Sequence, residues 1–266
     1  MAEPAPSIED EVLYDVSEQI ATITINREQY QNTISGVMLN SVTEYMLKAD
    51  RDGDVRCIIL TGTGRFFCAG LDLRSGRIGD SEAGNSTTLD LRSTPPTVMH
   101  NLDTPTICAM NGSAAGYGMD MALGCDIRIM SESAKLAAAF TARGIVPESG
   151  GTWILPRLLG WAKAAELIFT GRTLKADECL ELGLVNHVVP AEEVGPRSRD
   201  LAKEICGNAP LAVQASKRMM RMAMNENFND HVHHVFLQLL PLFKTEDFRE
   251  GMASFMEKRP PQFKGK

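Results

Sequence analysis

The residues of this chain best suited to chemistry are two carboxylates set among glycines. They are Asp120 in NGSAAGYGMDMALGCDI (residues 111–127) and Glu148 in GIVPESGGT (residues 144–152). Gly116 and Gly118 stand where a loop turns into the helix-compatible run 119–123, so the backbone there can pass close to a ligand. A helix start leaves N–H groups without intrahelical acceptors, and in a dry cleft such groups can hold the negative charge that develops on a reacting carbonyl oxygen. Asp120 falls in the first turn of that helix. A second glycine-containing loop, GTGRFFCAGLDL (residues 62–73), follows a clear strand pattern and can supply a second N–H.

The elements that must position these loops follow from hydrophobic period and punctuation. Residues 12–25 alternate as two paired strands, and Ser35 caps a helix over 36–50 with Val37, Met38, Val42, Tyr45 and Met46 at helical spacing. Residues 55–60 read as a buried, parallel-type strand. The polar stretch 75–93 has no period and is expected to be a mobile loop leading to a helix near Thr97. Further strands are predicted at 106–110, 127–130, 136–140 and 184–189, and helices at 153–159, 162–169 and 176–181, the last ended by Gly183. After Pro190 the strands stop, and 193–206, 211–224 and 232–243 read as amphipathic helices. The class is α/β: a flexible tail over 1–10, a mixed core over 11–195 and a helical segment over 196–266.

With 266 residues and 44% hydrophobic content the chain can bury a large core. Its net charge of −7 argues against nucleic-acid binding, and an anionic substrate would need a local basic patch. No apolar run reaches the ~18 residues of a membrane span, and MAEPAPSIEDE lacks a signal core, so no membrane partner and a cytoplasmic location are expected. The six cysteines are widely spaced and read as buried, reduced thiols. His231, His233 and His234 read as a solvated or interface helix face in preference to a metal site, and Met219, Met220, Met222 and Met224 as core or substrate-lining packing. Dinucleotide, P-loop, zincin and serine-hydrolase signatures are missing from the sequence.

From about Leu13 to Lys264 the chain resembles the crotonase (enoyl-CoA hydratase/isomerase) family. The motifs run in the family's order: Asn26-Arg27 with Asn32-Thr33, FFCAGLDL, NGSAAGYGMDMALGCDIRIM, GIVPESGGTWILPRLLG, TGRTLKADECLELGLVNHVV and FMEKRPPQFKG. The resemblance implies a crotonase-like spiral of ββα units with a helical C-terminal trimerisation segment, assembled as homotrimers or hexamers. It also implies an acyl-CoA substrate, with no cofactor beyond the CoA that the substrate carries. The family's oxyanion N–H groups fall on Leu71 and Tyr117. Each such donor is worth roughly 3 kcal/mol of barrier, and the pair makes an α-proton removable by an ordinary carboxylate. CoA contacts fall on Glu28, Gln29, Tyr30 and Ala69, with Lys258 as a further candidate for the phosphates.

Two departures bear on the reaction. The positions of the two hydratase glutamates hold Asp120 and Phe140, while Glu148 matches the single base of the family's double-bond isomerases. Dienoyl-CoA isomerases of the family share carboxylates at both Asp120 and Glu148 but keep a third acid where Phe140 stands here. The resemblance thus points to isomerisation with Glu148 as base, Asp120 orienting water or tuning Glu148, and Phe140 keeping the pocket dry. The alternatives are a hydratase using Asp120 and Glu148 together, thioester hydrolysis, and a non-catalytic acyl-CoA-binding protein. Structurally, Asp120 could serve only to complement its helix dipole, and Glu148 could be a helix-start acid.

Overall fold

The structure, a computed structural model, describes residues 11–72 and 94–266; the expected tail over 1–10 and the whole of the expected loop over 75–93 lie outside the described residues. Strands β1 (Val12–Ser17) and β2 (Ile20–Ile25) pair antiparallel, as their alternation predicts. Helix α1 (Gly36–Arg51) starts where Ser35 Oγ accepts from Met38 N at 3.3 Å, and it buries Met38, Val42, Met46 and Ala49 as one apolar stripe.

Strand β3 (Cys57–Gly62) opens a repeated pattern. It runs parallel beside β2, and the chain then passes into a second sheet as β4 (Phe66–Cys68) before helix α2 (Pro95–Asn101). Next come β5 (Thr106–Met110), β6 (Ser113–Ala115) and α3 (Tyr117–Gly124), and after them β7 (Ile127–Ser131), β8 (Lys135–Ala137), α4 (Gly151–Leu159) and α5 (Trp161–Thr170). Each turn lays one strand in each sheet and a helix across the edge, which is the strand-strand-helix spiral implied by the resemblance. Strand β9 (Thr173–Lys175), helix α6 (Ala176–Glu181) and β10 (His187–Val189) complete it. The larger sheet has the order β1-β2-β3-β5-β7-β10 and the smaller β4-β6-β8-β9. One core fills the space between the sheets and α1 to α3, and a second lies under α7 (Val194–Cys206) on the outer face of the large sheet.

Helix α7 thus covers the sheet, burying Val194, Ala202 and Cys206, so the expected division at 195 passes through a helix of the core. Helices α8 (Pro210–Ala223), α9 (Phe228–Leu242) and α10 (Glu246–Glu257) follow. The final residues return to the body. Buried Asp247 accepts from Lys264 N and Gly265 N at 2.7 and 2.8 Å, and Arg56 Nη2 donates to Phe263 O at 2.6 Å.

Several elements differ from expectation. Strands β4, β6 and β9 hold three residues each, too few for a visible alternation. Helix α10 was not expected; its mid-helix Gly251 weakens the pattern, although Thr245 caps it by accepting from Phe248 N at 3.0 Å. The strand expected at 136–140 stops at Ala137, and Phe140 leads into a 3-10 turn over Thr141–Arg143. That expected at 184–189 begins at His187, because Leu184 N and Val185 N both turn back to Cys179 O. Of the methionines, Met219 is buried at 8% exposure but Met220 is 73% exposed, so that helix turns only one edge inward. All six cysteines are free and buried. No described helix is long and apolar enough to cross a membrane.

Candidate active site

Two loops far apart in sequence meet at the ends of β4 and β6. The first is held by Asn32, which is fully buried with a left-handed backbone (φ 54°). Its side chain accepts from Arg27 N at 2.8 Å and donates to Thr63 O and Phe66 O at 2.9 and 2.7 Å. Arg27 adds ion pairs to Asp72 at 2.6 Å and Glu11 at 3.0 Å. Asn111 reaches across from the second loop, accepting from Gly62 N at 3.1 Å and donating to Gly64 O at 2.8 Å. Asn32→Ala would leave Arg27 N and Thr63 O without the amide that pairs with them, take one of two side-chain donors from Phe66 O, and place Ala in a left-handed conformation, a loss of roughly 2–4 kcal/mol. We expect a clear drop in Tm by thermal denaturation together with reduced turnover; an unchanged Tm would show that the clamp is dispensable.

The clamp aims Leu71. Ile34 N donates to Gly70 O at 2.9 Å and Asp72 N donates to Ile34 O at 3.0 Å, so Leu71 lies between these two bonds with its own N–H turned the other way. Tyr117 is the first residue of α3. Gly116 before it (φ 52°) gives its N–H to Ala137 O, and its carbonyl accepts from Asp120 N at 3.1 Å, which leaves Tyr117 N–H without an intrahelical acceptor. The loops touch closely. A Cβ added at Gly70 would lie 3.8 Å from Tyr117 N, and one at Gly118 would overlap Cys68 O. Two orphan N–H donors therefore face one cleft, as an oxyanion site requires.

That cleft is a cavity of about 730 Å³ with Leu71, Tyr117, Phe140, Ile145, Val146 and Glu148 on its walls. A second cavity of about 350 Å³ lies beside it, lined by Gln29, Tyr30, Thr33 and Asp72, and the two share Ala69, Leu71 and Arg143. Six of the residues singled out from the sequence are thus brought together: Leu71, Tyr117 and Glu148 around the first cavity, Gln29 and Tyr30 around the second, and Ala69 between. Glu28 lines neither, since its carboxylate accepts from Arg65 N at 3.2 Å and fills the space beside Gly64. Lys258 ends α10 in a left-handed conformation (φ 55°) and also lines neither. Arg143, Ile145 and Val146 went unremarked in the sequence, although all three lie within the run from Phe140 to Glu148.

The two carboxylates occupy different surroundings. Glu148 opens onto the cavity, and partial burial raises its pKa. Asp120 is 0% exposed and sits behind Tyr117, at the start of α4, where Gly151 has room for it only because it lacks a side chain. Neither carboxylate oxygen of Asp120 nor the hydroxyl of Tyr117 makes a well-formed hydrogen bond. Burial first, and then the charge of Glu148, push the Asp120 carboxyl from 3.8 up to about 7, against the pull of the nearby Gly151 and Ser149 N–H groups. An acid that merely complemented its own helix dipole would shift the other way.

A raised acid has a signature in stability. Between its unfolded and folded values the native state holds a proton that the unfolded chain has released, so stability falls as pH rises from about 4 to about 7, by on the order of 4 kcal/mol. We expect Asp120→Asn to melt above the wild type at about pH 8 and to lose that advantage at about pH 4. A difference in Tm that stays constant across that range would refute the shift.

Elsewhere, Glu226 binds both His231 Nδ1 and His234 Nδ1, at 3.0 and 2.9 Å. Among the described residues no group of three or more His, Cys, Asp or Glu is placed to hold a metal ion.

Known proteins resemble this chain in sequence and fold. A sequence model described as enoyl-CoA hydratase/isomerase matches residues 15–266. The chain is 33% identical over 258 residues to 1,2-epoxyphenylacetyl-CoA isomerase of Escherichia coli, covering 96% of this chain and 98% of the relative. It is 37% identical over 270 residues to the mouse mitochondrial enoyl-CoA hydratase domain-containing protein 2, covering 98% and 90%. The crystal structure of an enoyl-CoA hydratase from Bacillus anthracis superposes with a TM-score of 0.89 at 33% identity, over 96% of this chain and 100% of that one. With the spiral fold, the facing loops and these matches in agreement, the chain belongs to the enoyl-CoA hydratase/isomerase family of acyl-CoA enzymes.

Proposed function

We propose that this enzyme moves the double bond of an enoyl-CoA, with Glu148 as the single base. The observation that carries the reading is the division between the carboxylates: Glu148 lines the cavity, whereas Asp120 is fully buried behind it. By the family resemblance, Phe140 stands where hydratases carry their second acid. Glu148 takes a proton from the α-carbon of a β,γ-enoyl thioester. The C–H electron pair moves into a dienolate whose charge rests on the thioester oxygen, between the N–H groups of Leu71 and Tyr117. Glu148 then returns the proton to the γ-carbon, giving the α,β-enoyl thioester with no atom gained or lost. Asp120, whose burial holds its proton up to about pH 7, carries less negative charge beside Glu148 than an ordinary carboxylate would and so tunes it. The CoA arm runs over Ala69 towards Gln29 and Tyr30. Glu28 supports this path by holding the Gly64–Arg65 turn.

Hydration by Asp120 and Glu148 together would need one water touching both, and Asp120 has no exposed surface to offer it. The Escherichia coli relative is named an isomerase, so isomerisation is within the repertoire of closely similar chains. Purified protein should convert a β,γ-enoyl-CoA to a product of unchanged mass and leave an α,β-enoyl-CoA unhydrated. Gain of one water by the second substrate would establish a hydratase instead.

Helices α9 and α10 expose Phe228, Phe236, Phe255 and Met256, the last two at 78% and 76%. We propose that copies of the chain cover this face in a homotrimer or a dimer of trimers, and light scattering after gel filtration should return a multiple of three; a monomer at micromolar concentration would rule it out.

A further inference from the structure

From the placement of one cation we infer that Arg143 recognises an anionic group on the substrate, resting on the reading of these cavities as an acyl-CoA site. Arg143 closes the short 3-10 turn after Phe140 and lines both cavities at the place where they join. Its Nη1 donates to Ala139 O at 2.7 Å, which pins the guanidinium by one corner and leaves the rest of its donors free to reach a ligand. Among the described residues no carboxylate pairs with it. Its neighbours differ in this respect: Arg27 is committed to Glu11 and Asp72, and Arg172 to Glu178.

In a chain of net charge −7, an anionic ligand needs a local positive group, and Arg143 is placed to be one. Arginine suits the task because its planar fork presents parallel donors to the two oxygens of a phosphate or a carboxylate. Among the described residues Glu148 is the other charged side chain on the walls of the larger cavity, and no ion pair joins it to Arg143. The base therefore stays unneutralised while the guanidinium remains available. Two sources offer the required oxyanion: a phosphate of the CoA arm passing through the junction, or a carboxylate at the far end of the acyl group.

The test measures binding by calorimetry for wild type, Arg143→Met and Arg143→Lys, with hexanoyl-CoA, hexanoyl-N-acetylcysteamine and adipoyl-N-acetylcysteamine as probes. Arg143 lies on the surface, so the folded state of each variant can be checked by its Tm. Loss of one charge-assisted contact should weaken binding about tenfold in Arg143→Met, with partial recovery in Arg143→Lys. A loss confined to hexanoyl-CoA identifies the phosphate; one confined to the adipoyl thioester identifies an acyl carboxylate. Equal binding of all three probes, or an equal loss that includes the uncharged hexanoyl-N-acetylcysteamine, overturns the inference while leaving the acyl-CoA reading intact. A wild-type protein that binds none of the thioesters overturns both.

Discussion

Glu148→Gln should lower turnover of a β,γ-enoyl-CoA by about 10²–10⁴-fold with the affinity for the thioester largely retained. The amide has nearly the shape of the acid and keeps the cavity wall, but it cannot accept and return a proton. The size of the loss rests on Glu148 being, among the described residues, the only carboxylate on the cavity wall. Asp120→Asn should behave differently. It leaves the base in place and removes a buried group that titrates near neutrality, so its effect should fall on the pH dependence of turnover more than on its maximum. Were the two variants to lose activity equally, the pair would be acting together and the single-base scheme would fail. Steady-state assays on both substrates, with binding measured separately, distinguish these outcomes.

The second large effect lies in the backbone. An alanine methyl at Gly118 would overlap Cys68 O and approach Cys68 Cβ at 2.8 Å, so α3 must move off β4. Overpacking of this kind costs about 1–3 kcal/mol in stability. The catalytic consequence should be greater, because the contact between Gly118 and Cys68 sets the distance between the N–H groups of Tyr117 and Leu71. Loss of one oxyanion donor costs about 10²–10³-fold in turnover. Gly118→Ala should therefore remain folded, at a lower Tm, and lose turnover by that order. Gly36→Ala is the matched control: an added methyl there meets nothing within 4 Å, and neither stability nor activity should fall. Normal turnover in Gly118→Ala would show that the two loops tolerate separation and that their N–H groups do not act as a pair.

Much of this molecule follows from information local in the chain. The cap at Ser35, the stripe of α1 apart from the exposed Val37, the hairpin of β1 and β2 and the bounds of α6 all depend on residues within a few positions of one another, and the structure matches them. The glycine loops around Leu71 and Tyr117 were legible for the same reason, since left-handed backbone at Gly116 demands a particular residue type at one position. Strands of three residues leave no such trace. Strand β6 exists because β4 and β8 flank it, and those partners lie far away in sequence.

The sequence alone sufficed to name Asp120 and Glu148 as candidates, but not to say which of them opens onto a cavity. That depends on which side of the contact between α3 and α4 each carboxylate falls, and the packing of distant elements buries Asp120 completely while leaving Glu148 on the cavity wall. The same holds for Glu28, which lies among the expected CoA contacts but is consumed by the Arg65 turn, and for Arg143, an ordinary surface cation in sequence that folding places at the junction of two cavities with no carboxylate partner among the described residues. Residue type sets what a group can do chemically; burial and the absence of a competing partner set whether it is free to do it, and both are properties of neighbours that only the folded chain brings together.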